Sequence, residues 1–452
     1  MRIQLSDHFN YKKLLRFTLP SIVMMIFTSI YGVVDGFFVS NFVGKTPFTA
    51  VNFIMPFLMI LGAVGFMFGT GGSALIAKTL GEGDPGRANR LFSLFIYISA
   101  ACGAALAFLG ILLLRPIASL LGAKGEMLEY CVTYGRIVLL ALPAYTLQFE
   151  FQSFFVTAER PQLGLAVTVL SGLTNMVLDA LLVAVFPLGL QGAAAATAIG
   201  QCVGGIVPVI YFCRPNSSLL RLGKTEFDGK ALLKACTNGS SEFVSNISMS
   251  MVSMLYNVQL LRYAGEDGVA AYGVLMYVNL IFLAAFIGYS VGTAPVIGYH
   301  YGAGNHRELK GLLKRSLVLV GISSVVMLAA GEILARPLSQ IFVGYDQGLM
   351  DMTMRGFVIY SFSFLFAGGR GPGDGGAAAP AGRSSFFTAL NNGLVSAVIS
   401  FLRTLVFQVV AVLVLPLFWK LDGIWMSMVA AELLATAVTV LFLISKRKQY
   451  HY

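Results

Sequence analysis

Twelve apolar stretches, each long enough to cross a bilayer, limit what this chain of 452 residues can fold into. Crossing a hydrocarbon core of about 30 Å takes about 20 apolar residues of helix. Stretches of this kind centre on 17–40, 46–76, 91–114, 128–156, 163–187, 191–213, 236–261, 268–298, 315–335, 352–367 continuing near 384–390, 394–416 and 423–444. With 57% hydrophobic and only 12% charged residues, the composition excludes a soluble domain of this size. The sequence predicts an all-α membrane protein with twelve transmembrane helices.

The net charge of +10 tests this topology, because its placement says more than its sign. With the N-terminus in the cytoplasm, 22 of the 31 Lys and Arg residues fall in inner segments and 6 in outer loops, leaving Arg136, Arg355 and Arg403 within helices. That asymmetry follows the positive-inside rule. It predicts a multi-pass protein of the cell inner (plasma) membrane with both termini cytoplasmic, and it removes the reason to invoke nucleic acid. The first apolar stretch is too long for a signal-peptide core and lacks an A-x-A-like site, so it is expected to stay as span 1. Cys102, Cys131, Cys202, Cys213 and Cys236 are odd in number and lack ligand spacing, which predicts buried free thiols and no dedicated metal centre.

An internal repeat sorts the spans into two halves. At an offset of 221 residues Gly71 recurs as Gly292, Gly81 as Gly302, Gly83 as Gly304, Arg115 as Arg336 and Pro116 as Pro337. Each half has six spans, so both copies enter the membrane from the same side and the repeat is parallel, with its axis along the membrane normal. The expected boundaries are 1–213 for an N-terminal six-helix lobe, 214–234 for a cytoplasmic linker that lets the lobes rock, and 235–452 for the C-terminal lobe. Substrate belongs between the lobes. Beyond 367 the offset grows by about ten residues, since Ser153, Phe154 and Phe155 match Ser385, Phe386 and Phe387. The surplus falls on 368–383, where seven glycines, two prolines and two arginines stand in place of helix. Such a stretch cannot cross lipid as a regular helix. It is either a loop on the cytoplasmic side or, the favoured reading, a local insertion or reading-frame scar.

Polar residues fall on defined faces of these spans. Thr28, Tyr31, Gly32 and Asp35 lie at i, i+3, i+4 and i+7, one side of span 1. A carboxylate at that depth costs roughly 2.5–3.5 kcal/mol on insertion scales unless it meets a partner or a cavity. Asp35 is therefore a structural carboxylate bonded to neighbouring helices or a proton- or cation-binding group, and the second is the default for an intramembrane acid. Span 5 repeats the pattern with Thr168, Ser171, Gly172, Asn175 and Asp179. If Asp35 and Asp179 converge, they share a proton, or hold Na+ with Asn175, because hard cations take oxygen ligands. Span 7 carries Glu242, Asn246, Ser250, Ser253 and Asn257 at similar spacing, although Glu242 also fits an ordinary acid near a helix N-terminus. Glu150, Gln148, Gln152, Gln201 and Glu432 read as interhelical glue, Pro20 and Pro143 as kinks, and Gly200 with Gly204 as a close helix contact.

Leu19-Pro20, the run from Tyr31 to Asp35, Thr49-Ala50-Val51-Asn52 and the two Gly-x-Gly loops, in this order over about residues 12–445 except 368–383, resemble the multidrug and toxic compound extrusion (MATE) family of bacterial antiporters. The resemblance implies two six-helix lobes around a cavity open alternately inward and outward. It implies export of cationic lipophilic compounds against inflowing H+ or Na+, with no other cofactor, by a carrier expected to act as a monomer. An acidic residue on span 1 and, in one branch, an Asn and an Asp on span 5 serve the coupling ion, which Asp35, Asn175 and Asp179 match. The second-lobe acids of another branch find only Glu242. Tyr31, Thr28, Asn246, Ser250, Ser253, Asn257 and Glu242 are the candidates for the substrate cavity. A lipid-linked precursor flippase of the same superfamily would want several cavity cations, and only Arg136, Arg355 and Arg403 are available. A membrane-embedded enzyme lacks a nucleophile–base or metal-ligand constellation, the four His residues lying at ends or in loops.

Overall fold

The computed structural model describes residues 3–120, 123–343, 347–368, 388 and 393–450. All but the first residue of the stretch 368–383 lies outside them. Every described regular element is helical, as expected of a backbone that lipid cannot hydrogen-bond. In chain order these are α1 (Tyr11–Phe38), α2 (Lys45–Gly81), α3 (Pro85–Leu120), α4 (Gly125–Leu140), α5 (Leu142–Thr157), α6 (Pro161–Asp179), α7 (Gly189–Cys213), α8 (Gly229–Gly302), α9 (His306–Val343), α10 (Gln347–Gly368), α11 (Gly393–Phe401) and α12 (Gln408–Tyr450).

Twelve elements and twelve passes coincide only in number. α4 and α5 make one pass bent by 58°, and the bend falls just before Pro143, whose ring removes a helical N–H. α8 makes two passes that reverse at Gly265, where φ is +64°, a conformation open to glycine. α11 runs on into α12, which breaks at Lys420. α1 to α7 thus give six passes and the described remainder another six. Three passes contain a π turn: Val39–Val43, Ala180–Val185 and Leu402–Phe407. Each lies at an intramembrane charge. The first begins one turn after Asp35, the second follows Asp179 directly, and the third contains Arg403.

The lobes meet across α2 and α8 through glycines. A Cβ at Gly81 would fall on the Tyr299 carbonyl oxygen, and one at Gly302 would fall on the Lys78 carbonyl oxygen. The 221-residue offset maps Gly81 onto Gly302 and Lys78 onto Tyr299, so the contact is its own image in the repeat. Gly71 meets Ala235 and Gly239 of α8, while its repeat mate Gly292 meets Thr18 of α1. These contacts all lie toward the face that carries the N-terminus. In the other half of the membrane the space beside Gly32 and Gly273 is open.

Two extended segments brace the same face. Leu5 and Phe9 are fully buried against α1, α8 and α9. The Leu5 amide donates to Glu159 of the first lobe at 2.7 Å, and the Phe9 amide donates to Glu308 of the second at 3.0 Å. Glu308 also takes His8 Nδ1 at 2.6 Å and Arg315 at 2.8 Å, so one buried carboxylate gathers strap and helix. The second segment is the linker. It is not a free joint: the Arg221 amide donates to Asn89, the Gly223 amide to Ser93, and the Thr225 hydroxyl to the Arg90 carbonyl, all on α3. α8 starts at Gly229, capped by Asp228, inside the stretch read from sequence as linker.

Glu308→Ala is expected to release the strap and leave Arg315 half-enclosed without its counter-charge. The expected loss is about 3 kcal/mol of stability, read as earlier thermal unfolding in detergent together with faster proteolysis before Tyr11.

Candidate ion-coupling site

Asp35 reaches the interior of the first lobe because small residues let three helices close on it. A Cβ at Gly172 of α6 would stand 2.6 Å from Phe27 and 2.9 Å from Tyr31, so α1 lays two rings directly on the α6 backbone. Gly200 of α7 approaches Asn175 to 3.0 Å by the same measure, and Gly204 approaches Gln148, which is the close contact read from the Gly200/Gly204 pair. The polar seam of α6 is buried throughout: Thr168, Ser171, Gly172, Asn175 and Asp179 all face inward. Ser171 donates to the Gly200 carbonyl at 2.7 Å and accepts from Gln148 at 3.3 Å.

At the top of this seam Asp35 and Asp179 come together. Asp35 is 7% exposed and Asp179 0%. Asp179, Thr197 and Asn175 lie within electrostatic reach of Asp35. The Thr197 hydroxyl donates to Asp35 Oδ1 at 3.3 Å. Both oxygens of Asp179, both amide atoms of Asn175 and the Tyr134 hydroxyl have no hydrogen-bond partner. Among the described residues neither carboxylate forms an ion pair. Two buried acids and an amide with unmet bonding capacity are costly unless a proton or a small cation lies among them. The donor set of carboxylate, amide and hydroxyl oxygens suits either H+ or Na+. Groups of three or more His, Cys, Asp or Glu that would hold a heavier metal are absent among the described residues.

Sequence reasoning reached Asp35, Asp179 and Asn175 and missed Thr197 and Tyr134. Thr197 had a signal, as the lone hydroxyl in the Ala- and Gly-rich run of α7, one turn before Gln201. Tyr134 had none, since a tyrosine on an apolar span is common. Thr28 and Tyr31 are half-buried, and Thr28 spends its hydroxyl on the Met24 carbonyl.

The second lobe does not copy this site. At the position of Asp35 in the repeat stands Tyr256, which shares a 2.8 Å hydrogen bond with Ser427 and stacks on Tyr272. Glu432, fully buried there, accepts the single Arg403 Nε–H at both carboxylate oxygens, at 3.0 and 3.3 Å, and is neutralised by it. Glu242 lies several turns inside α8, away from its N-terminus, so the reading as a helix-end acid does not hold. It is half-buried, and Arg403 is the charge acting on it. Asn246 donates to the Glu242 carbonyl at 2.8 Å. Ser253 and Asn257 are exposed on the flank of α8 beside the lobe core of Val252, Tyr256 and Leu260, and the Ser250 side chain lies outside those described.

Two parallel lobes meeting across a membrane-normal axis, with one unneutralised carboxylate pair, define a polytopic membrane carrier. A family profile described as MatE matches residues 20–181 and 243–414. The chain belongs to that family, the multidrug and toxic compound extrusion transporters. The multidrug export protein MepA of Staphylococcus aureus (strain MRSA252) is 25% identical over 447 residues, 97% of this chain and 94% of that protein. MepA of Staphylococcus haemolyticus is 26% identical over 365 residues, 79% and 80% of the two chains. Among solved structures, the outward-facing conformation of a multidrug resistance MATE family transporter superposes with a TM-score of 0.90 at 20% identity, covering 98% of this chain and 97% of that one. A MATE in complex with MaL6 gives the same score, covering 98% of each.

Asp179→Asn keeps the shape of the side chain and removes one of two crowded carboxyl groups. The variant is expected to fold and to be stabilised, on the order of 1 kcal/mol, seen as a higher unfolding temperature in detergent.

Proposed function

We propose that this protein is a secondary active transporter of the plasma membrane that exports cationic lipophilic compounds by antiport with H+ or Na+. The observation that carries the reading is the buried pair Asp35 and Asp179, which among the described residues no cationic side chain neutralises. The name of the MepA relatives, multidrug export protein, supports drug export, and the cationic lipophilic class is what the family resemblance implies. The face bearing the N-terminus is read as cytoplasmic, because most Lys and Arg residues gather on its segments.

α1 links ion to gate. One end holds Asp35, and the other packs Thr18, Ser21 and Ile22 against Gly292 and Gly288 of the second lobe, with Pro20 between. An ion taken up between Asp35, Asp179, Asn175 and Thr197 draws α1 toward α6 and α7. That shift runs along α1 to the closed interlobe contact around Pro20 and alters the balance between outward-open and inward-open forms. The ion drives this only through its different affinity for the two forms. The half-buried Glu242 and Asn246, with the exposed Ser253 and Asn257, then line the second lobe's side of the substrate cleft, and Thr28 and Tyr31 line the first.

The flippase alternative loses support from the three intramembrane arginines. Arg136 is exposed, Arg355 pairs with Asp422, and Arg403 is held by Glu432, which leaves no cluster for a pyrophosphate.

In proteoliposomes, ethidium transport is expected under an imposed H+ or Na+ gradient by the wild type and not by Asp35→Asn. Equal gradient-driven transport by the variant would remove Asp35 from coupling. Silence of the wild type under both gradients, persisting in a version shortened by about ten residues within 368–383, would overturn the substrate class.

A further inference from the structure

Where α7 leaves the membrane on the N-terminal face, the chain turns sharply and leaves a cavity of about 730 Å³. Its membrane side is apolar, formed by Val207, Ile210 and Pro215, and its outer side is polar, formed by Tyr211, Arg214, Asn216 and Ser217. The depression is an open groove rather than an enclosed pocket, a shape that suits a headgroup and the first part of a chain lying along the surface. Ile206 and Ile210 are exposed along the same flank of α7, so the apolar wall continues toward the bilayer.

Three guanidinium groups converge on this turn, and no acid neutralises them. Arg160, from the start of α6, donates through Nη2 to the Ser217 carbonyl at 3.1 Å and to the Ser217 hydroxyl, while its Nε is buried with no partner. Arg221 donates through Nη2 to the Asn216 carbonyl at 3.0 Å. Arg214 is exposed at the rim. Among the described residues none of the three forms an ion pair. The nearest acid in sequence, Glu159, is turned to the Leu5 amide of the N-terminal strap. The turn itself is held by Asn216, whose side chain bonds the Tyr211 and Arg214 carbonyls and the Ser218 amide, so the cations sit on a fixed frame.

From this geometry we infer that the groove at the end of α7 binds the headgroup of an anionic phospholipid. The phosphate meets Arg214, the guanidinium that lines the groove, whose planar fork suits phosphate oxygens, while Arg160 and Arg221, bonded to the Ser217 and Asn216 carbonyls, add positive charge behind the turn. The Ser217 and Tyr211 hydroxyls face the glycerol portion, and the first acyl carbons run along Val207 and Ile210. Basic pockets between transmembrane helices at the cytoplasmic interface are a recognised setting for such headgroups. Bound there, the lipid ties the start of the linker to α6 and α7. The linker then moves with the first lobe, and the hinge is confined to the few residues before α8.

The test is native mass spectrometry of the full-length protein in detergent, titrated with phosphatidylglycerol and, separately, with phosphatidylcholine. The wild type is expected to retain phosphatidylglycerol in preference to phosphatidylcholine. Arg214→Gln, which alters only an exposed side chain, is expected to weaken phosphatidylglycerol about tenfold, the scale of one lost charge-assisted contact. Ile210→Ser is expected to weaken it while leaving the charge intact. Equal retention of phosphatidylglycerol by wild type and Arg214→Gln, or equal retention of the two lipids by the wild type, would overturn the inference. So would displacement of the lipid by soluble glycerol phosphate at similar concentration, which would make the site one for free phosphate. None of these readouts depends on transport.

Discussion

Two carboxylates within reach of each other, in a place no cationic side chain enters, impose the design of the first lobe. Asp35 and Asp179 can remain there only if their helices come close enough to share a proton or an ion, and closeness in lipid depends on small side chains because apolar surface gives no net drive for helices to associate. Gly172 lets the rings of Phe27 and Tyr31 rest on α6, and Gly200 lets α7 approach Asn175. The π turns after Asp35 and Asp179 widen the helices at the two points where charge is held. Thr197 and Tyr134 then complete the site from α7 and α4, with hydroxyls that no other group fully satisfies.

Duplication preserved the interface between the halves and let the site diverge. The glycines of α2 and α8 face each other across the repeat axis, so each copy constrains the other. A side chain added at Gly81 or at Gly302 would strike the same seam. Nothing comparable binds Tyr256 to the identity of Asp35, because the interiors of the two lobes do not meet. The second lobe filled that position with an aromatic stack of Tyr256, Tyr272 and Trp425 and paired its fully buried Glu432 with Arg403. One lobe is left with a titratable interior and the other with a rigid one.

Three kinds of contact gather on the N-terminal face, and two of them close it. Glycine packing on α2 and α8 depends on close approach alone and is lost with a small separation. The strap from Leu5 to Phe9 depends on two carboxylates, one in each lobe, and so opposes separation directly. The linker adds nothing across the gap, because its hydrogen bonds run to α3 of its own lobe. Any opening of this face must break the first two and can leave the third intact.

Hydrophobic length determined the twelve passes from sequence, since no other structure satisfies a backbone in lipid, and the 221-residue offset, constant up to residue 367, determined the parallel arrangement of the lobes. Asp35, Asn175 and Asp179 were legible on similar grounds: polar side chains at regular helical steps in an apolar span are too costly to bury in lipid without a partner or an ion to meet them. What the sequence left open depended on contacts between distant segments. Thr197 and Tyr134 joined the site only because α7 and α4 close on α1. Glu432, read from sequence as interhelical glue, found its partner only when packing brought Arg403 to it. The linker, flexible by composition, became part of the first lobe through α3. Helical periodicity assigns a residue to a face, but which face another helix covers is decided by packing between residues far apart in the chain.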